Sequence, residues 1–156
     1  MTAEVLRPAT GADAELLWQW ANDRTVRDHA FHSEPIAWTT HQHWLAAKLH
    51  DPGCRIWILE NDGQPVGQIR YERDGEVVEI SLSVAAACRG RGFGRQLLAL
   101  SRAIACRELG VARVRGVVKS TNHASQRLFA GMGFRLLEST TRCEAPYVIF
   151  EWAHGE

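Results

Sequence analysis

The sequence predicts a mixed α/β (α+β) fold: a single, mostly antiparallel central sheet flanked by helices. Three observations point there. Apolar residues alternate with period two in three consecutive runs between Arg55 and Val84, broken by Asn61-Asp62-Gly63 and Arg73-Asp74-Gly75, the pattern of a hairpin-joined meander. Beyond Val84 the pattern changes to strand-helix-strand units, which place strands of the same sheet side by side through helical crossovers. Finally, 156 residues of which 46% are hydrophobic and 23% charged suffice for one buried core, so residues 1–156 are expected to form one domain.

Taken in order, Glu4 to Arg7 before Pro8 reads as a first strand. Thr10 or Asp13 can cap a helix carrying Leu16, Leu17, Trp20 and Ala21. Asn22 to Trp38 mixes charges, aromatics and Pro35 and reads as a short helix and loop; Thr40 then caps a helix with Trp44, Leu45 and Leu49 on one stripe, ending at Asp51-Pro52-Gly53. Arg55 to Glu60, Val66 to Tyr71 and Val77 to Val84 are the meander strands. Phe93 to Leu109 is the longest helix, with Leu97, Leu98, Ile104 and Ala105 at helical spacing and Gly110 closing it. Val111 to Lys119 is a strand, and Asn122 to Met132 a helix stopped by Gly133 with Phe134 packing behind. Arg135 to Arg142 and Tyr147 to Trp152 complete the sheet.

Composition excludes several functional classes. With 18 basic and 18 acidic side chains the formal net charge is zero, which argues against a dedicated nucleic-acid binder. No apolar run approaches a membrane span, and Met1 to Thr10 lacks the basic start and apolar stretch of a leader, so a cytoplasmic chain without membrane contact is expected. Cys54, Cys88, Cys106 and Cys143 are scattered with no C-x-x-C, fitting reduced thiols rather than a disulfide or zinc framework. His41 and His43, two apart on a predicted helix, diverge and do not make a chelating pair, so no metal is expected.

Charge placement is more informative than its total. Residues 1–78 hold 7 Lys/Arg against 12 Asp/Glu, and residues 79–156 hold 11 against 6. Between Ala85 and Arg135 the single acidic residue is Glu108, against ten basic ones, which suits a small polyanion. At the head of this stretch Arg89-Gly90-Arg91-Gly92-Phe93-Gly94-Arg95 lies between a strand and the long helix. Three glycines in five residues permit a tight turn and leave amides uncovered, and the helix start adds unpaired N–H groups and a positive dipole end. The segment fails G-x-G-x-x-G by one position, and no G-x-x-x-x-G-K-[ST] occurs. It does satisfy R-x-x-G-x-G through Arg89, Gly92 and Gly94.

That motif, placed after Leu82-Ser83-Val84, resembles the pyrophosphate loop of the GNAT superfamily of acyl-CoA-dependent N-acyltransferases. A second block, Asn122-His123-Ala124-Ser125-Gln126-Arg127-Leu128-Phe129-Ala130-Gly131-Met132-Gly133-Phe134, is similar to that family's N-x-x-S-x-x-L-[YF]-x-x-x-G-F helix. With the strand order, the likeness spans nearly the whole chain. The resemblance implies acetyl-CoA as co-substrate in a cleft between the fourth and fifth strands. Leu82, Ser83 and Val84 would bond the pantetheine arm, and Gly90 to Arg95 would hold the pyrophosphate. Asn122 and Ser125 would contact the pantetheine or nucleotide end, although both also suit helix capping. Two positions depart from the family pattern: Ala86 replaces a common proline, and Phe129 stands where many members have a tyrosine that protonates the departing thiolate.

An amine attacks a thioester only as the free base, so a proton acceptor is needed near the fourth strand. Alternation puts Glu79, Ser81 and Ser83 on one face there, and family members often carry a base on this strand, which makes Glu79 the candidate; its alternative role is an ion pair with a neighbouring arginine. His29, His41 and His43 compete with it. A backbone amide near Ser83 or Val84 is expected to polarise the thioester oxygen. The acceptor wall is expected in residues 18–44, which hold Trp18, Trp20, Trp38 and Trp44. Trp20-Ala21-Asn22-Asp23 with Val26-Arg27, Ile36 and His41-x-x-Trp44 is similar to members acetylating nucleotide-linked (UDP-type) amino sugars in pathways of the pseudaminic-acid type. Ribosomal-protein or other N-terminal amines, small amines, and a noncatalytic acyl-CoA sensor are the alternatives. A monomer or homodimer is expected.

Overall fold

The structure, a computed structural model, describes residues 3–155; residues 1, 2 and 156 of the expected 1–156 domain, and with them part of the Met1 to Thr10 reading, lie outside the described residues. Seven strands form one sheet: β1 Glu4–Pro8, β2 Cys54–Asn61, β3 Gln64–Asp74, β4 Val77–Val84, β5 Arg113–Lys119, β6 Arg135–Arg142 and β7 Ala145–Ala153. Their spatial order is β1-β2-β3-β4-β5-β7-β6, antiparallel throughout except for β4 beside β5. The helices are α1 Ala14–Ala21, α2 Arg24–His29, α3 Trp38–His50, α4 Phe93–Leu109 and α5 His123–Gly131.

Most boundaries follow local chemistry. Gly110, at φ 67°, ends α4 in the left-handed conformation, and the Val111 N–H turns back to Cys106 O, so β5 begins at Arg113 rather than at the expected Val111. Thr10 forms a reciprocal capping box with Asp13 around a short 3₁₀ turn before α1. Thr40 is not a cap: α3 starts at Trp38, with Ala37 O accepting from His41 N, because Pro35 and the extended Ala37 already set the entry angle.

Strand alternation sorts side chains into two layers. One face meets α4 and α5 in the larger core, built from Trp57, Ile69, Tyr71, Val78, Ile80 and Val114 against Leu97, Leu98 and Phe129. The other face meets α1 and α3 in a smaller core around Leu17, Leu45, Ile56 and Ile58. That second core stops at β2. On β3 and β4 the same face carries the cross-strand pairs Gln68 and Ser83, Arg70 and Ser81, Glu72 and Glu79, so a polar floor lies where the helical layer is incomplete.

Gly116 in β5 allows a close approach that no other residue type permits. A Cβ there would stand 2.6 Å from Phe129 Cζ, so the α5 ring lies directly on the strand backbone. Gly116→Ala is expected to force Phe129 off Phe134 and Phe150, whose rings are 4.9 and 5.9 Å from it, and to cost about 1–3 kcal/mol in chemical denaturation.

Candidate active site

The sheet parts at its centre. β4 and β5 pair only over Val77–Ile80 with Arg113–Gly116; past that point β4 stays on β3 as far as Val84 opposite Gly67, while β5 stays on β7 as far as Lys119 opposite Tyr147. Ala85 N–H bonds to Val66 O on β3, so by alternation the amide groups of Leu82 and Val84 face the parting and those of Ser83 face β3. Ser83 is further tied to β3 by its hydroxyl, which accepts from Gln68 Nε2 at 3.1 Å. Of the three expected strand residues, Leu82 and Val84 therefore offer backbone to the cleft, and Ser83 turns its backbone away.

The parting opens into a cavity of about 1410 Å³ that runs from the glycine loop and α5 across to α2 and α3. At the loop, Gly90 and Gly92 adopt φ of 77° and 86°, and a Cβ on either would meet nothing within 4 Å, so their amides stay uncovered. α4 begins immediately afterwards at Phe93, a buried residue of the larger core that lines the cavity with Gly94. Open amides at a helix start are a donor set suited to pyrophosphate oxygens, and the parted strands offer backbone partners to an extended amide arm, so the residues fit an acyl-CoA.

The loop arginines have separate fates. Arg89 lines the cavity and pairs with Asp23, Nη2 to Oδ2 2.8 Å. Arg91 sits over the Phe93 ring at 5.0 Å, and Arg95 reaches Gly131 O at the end of α5; neither side chain lines the cavity. Asn122 caps α5, accepting from Ser125 N at 3.2 Å, and both residues also line the cavity.

Glu79 lies on the polar floor and lines the cavity. Arg142 Nη1 donates to its Oε1 at 3.2 Å, and the Arg142 guanidinium also lies 5.1 Å over the Phe31 ring. Opposite it on β3, Glu72 is engaged by Arg70 at 2.6 Å and Lys48 at 2.9 Å, while Arg115 on β5 pairs with Glu151. Of the competing histidines, His29 and His41 line the cavity and His43 is exposed outside it. Burial between Trp38 and Trp44 lowers the proton affinity of His41. Trp20 and Trp44 line the cavity, whereas Trp18 packs edge-on against Trp38 and donates to Ile36 O at 2.7 Å. The two tryptophans of α1 thus do diverge, as their spacing predicts.

Phe129 is buried over Gly116. Among the described residues the cavity lining contains no tyrosine. Tyr71 is buried beneath α4, with its hydroxyl 2.7 Å from Ser101 Oγ, and Tyr147 packs against Phe31; burial raises both phenol pKa values. Tyr71→Phe and Tyr147→Phe are therefore expected to leave kcat within about twofold. Tyr71→Phe should lose about 0.5–1.5 kcal/mol of stability with its hydrogen bond, while Tyr147→Phe, which removes a buried hydroxyl without a partner, should be neutral or stabilising. A tenfold fall in kcat with the fold intact would assign thiolate protonation to that tyrosine.

The sequence places Asp23 in the acceptor wall but shows neither its pairing with Arg89 nor that of Arg142 with Glu79, because the partners lie 66 and 63 residues apart. Gly116 carried a readable signal, a lone glycine inside an apolar strand pattern.

Comparison with known proteins agrees with this geometry. A family described as the acetyltransferase (GNAT) domain matches residues 5–135. Among solved structures, the aminoglycoside acetyltransferase AAC(6')-Ib in complex with coenzyme A superposes with a TM-score of 0.82 at 18% identity, covering 97% of this chain and 95% of that one. Spermidine N-acetyltransferase from Vibrio cholerae, bound to CoA and spermine, gives 0.85 at 16% identity over 97% and 95%. The yncA protein of Salmonella typhimurium with acetyl-CoA gives 0.81 at 22% identity over 99% and 95%. With the family matched over most of its length and the fold shared with these structures, the chain belongs to the GNAT acetyltransferase family and is an acyltransferase.

Proposed function

We propose that this protein is a single-domain acetyl-CoA-dependent N-acetyltransferase that acetylates a primary amine of a small molecule by direct attack. The observation that carries the reading is the parting of β4 from β5 beside a loop with two left-handed glycines, both opening on one cavity. Acetyl-CoA supplies the acyl thioester when bound. Gly90, Gly92 and the first amides of α4 hold its pyrophosphate, and Leu82 and Val84 bond the pantetheine arm. The Val84 N–H, freed by the parting, donates to the thioester oxygen. Glu79 takes the proton of the attacking amine, directly or through water. No tyrosine hydroxyl reaches the cavity from the described residues, so water protonates the thiolate, which needs little help at a pKa of roughly 8.5.

A small acceptor is favoured over a peptide by how the far side is covered. Phe31 is held against Tyr147 at 5.0 Å and under Arg142 at 5.1 Å, and Lys119 Nζ donates to Asp28 O at 2.9 Å. These contacts tie α2 to the end of β5 and Phe31, after α2, to β6 and β7, so the cavity is walled on that side, which favours a compact acceptor. Trp20 and Trp44 suit the C–H faces of a sugar, so an amino sugar is the preferred acceptor. The structural neighbours include proteins named for aminoglycosides and spermidine, both amines. The test is acetyl-CoA turnover, read by thiol release and mass spectrometry, over a panel of UDP-linked and free amino sugars, polyamines and N-terminal peptides. Turnover confined to peptides overturns the small-acceptor reading; CoA binding without turnover on any amine supports a sensor instead.

A further inference from the structure

Among the loop arginines, Arg89 alone lines the cavity, and the residue that caps α2 holds it. Asp23 stands between α1 and α2, and its Oδ2 accepts both the Val26 N–H at 3.2 Å and Arg89 Nη2 at 2.8 Å. α2 itself buries no residue, so this helix depends on polar ties rather than on a core face. One carboxylate oxygen therefore caps a helix of the acceptor wall and orients a guanidinium of the glycine loop. Arg89 lowers the Asp23 pKa, keeping the carboxylate charged.

We propose that Asp23 is a positioning residue for acyl-CoA: it holds Arg89 at the mouth of the pyrophosphate loop, leaving the remaining guanidinium donors for the diphosphate. The proposal rests on the acetyl-CoA reading above. It runs against simple electrostatics, because a carboxylate near a diphosphate site repels the ligand, and removing it would by that effect alone tighten binding. Positioning predicts the opposite. An unheld arginine must lose its rotamer freedom on binding, which weakens affinity by about three- to tenfold.

Two substitutions separate the two jobs of Asp23. Asp23→Asn keeps the helix cap and removes the charge that holds Arg89, whereas Asp23→Glu keeps the charge and gives up a favoured capping residue. Calorimetry with CoA on the full chain should show about three- to tenfold weaker binding for D23N with little change in melting temperature, and near wild-type affinity for D23E with a lower one. In a cycle with Arg89→Gln, D23N should add no further loss, since Asp23 acts through Arg89. CoA binding by D23N that equals or exceeds wild type, failure of D23E to restore it, or additive losses with R89Q would each overturn the assignment. Absence of CoA binding by the wild-type protein would instead overturn the acetyl-CoA reading, and this inference with it.

Discussion

Glu79→Gln is expected to lower kcat by about 10²–10⁴-fold, with the largest loss at pH values where the acceptor amine is mainly protonated. The carboxylate is the acidic side chain of β4 that faces the cavity, and glutamine keeps its shape while losing the ability to take a proton. Stability should barely change. The Glu79 and Arg142 side chains are 32% and 39% exposed, and a pair so open to water is worth about 0–1 kcal/mol. This matters because Glu79 has a second possible task, holding Arg142 over Phe31 and with it the cover of the acceptor side. Arg142→Gln distinguishes the two. If the ion pair is what counts, both variants lose kcat alike; if proton transfer counts, R142Q changes KM for the amine and retains most of kcat. Full activity of E79Q across the pH range removes Glu79 from the mechanism and brings His29 forward.

The second large effect is expected from Gly92→Val. Gly92 has φ 86° and ψ 8° at the N-cap of α4, a conformation in which a β-branched residue is strained by about 1–2 kcal/mol. A Cβ there meets no protein atom within 4 Å, so the substitution causes no internal clash. Its two consequences are a loop that relaxes away from its amide-presenting form and a side chain standing in the ligand's space. Calorimetry should record at least about tenfold weaker CoA binding, equivalent to about 1.4 kcal/mol, while α4 remains folded. Unchanged affinity would mean that the glycine loop does not hold the pyrophosphate.

The sequence alone determined what depends on neighbours along the chain. β4, α4 and β6 have the expected ends because alternation, glycine at a C-terminus and turn residues act over a few positions. The glycine loop was legible for the same reason: the motif and the helix start are adjacent. Two of the missed boundaries, at Thr40 and Val111, are places where a local preference lost to a competing backbone bond, Ala37 O to His41 N and Cys106 O to Val111 N, whereas β3 at Gln64–Asp74 and β7 at Ala145–Ala153 run past their expected ends because pairing with their neighbours carries the ladder into the turns.

Only the tertiary structure decided which distant groups meet. β7 inserts between β5 and β6, and this pairs β5 along its full length with β7 while leaving its other edge free beyond Gly116. No local pattern encodes that parting, because strand order is a property of the closed sheet. Nor does the sequence tell that Tyr71 is sealed beneath α4 while Glu79, eight residues on and three positions past the turn at Gly75 and Glu76, faces the cavity on the opposite side of the sheet. Alternation assigns the two residues to different faces, but which face receives α4 and which is left uncovered by α1 and α3 is settled by packing. The ion pairs Arg89 with Asp23 and Arg142 with Glu79 belong to the same class: long, charged side chains find partners through space, and their spacing in the chain carries no trace of it.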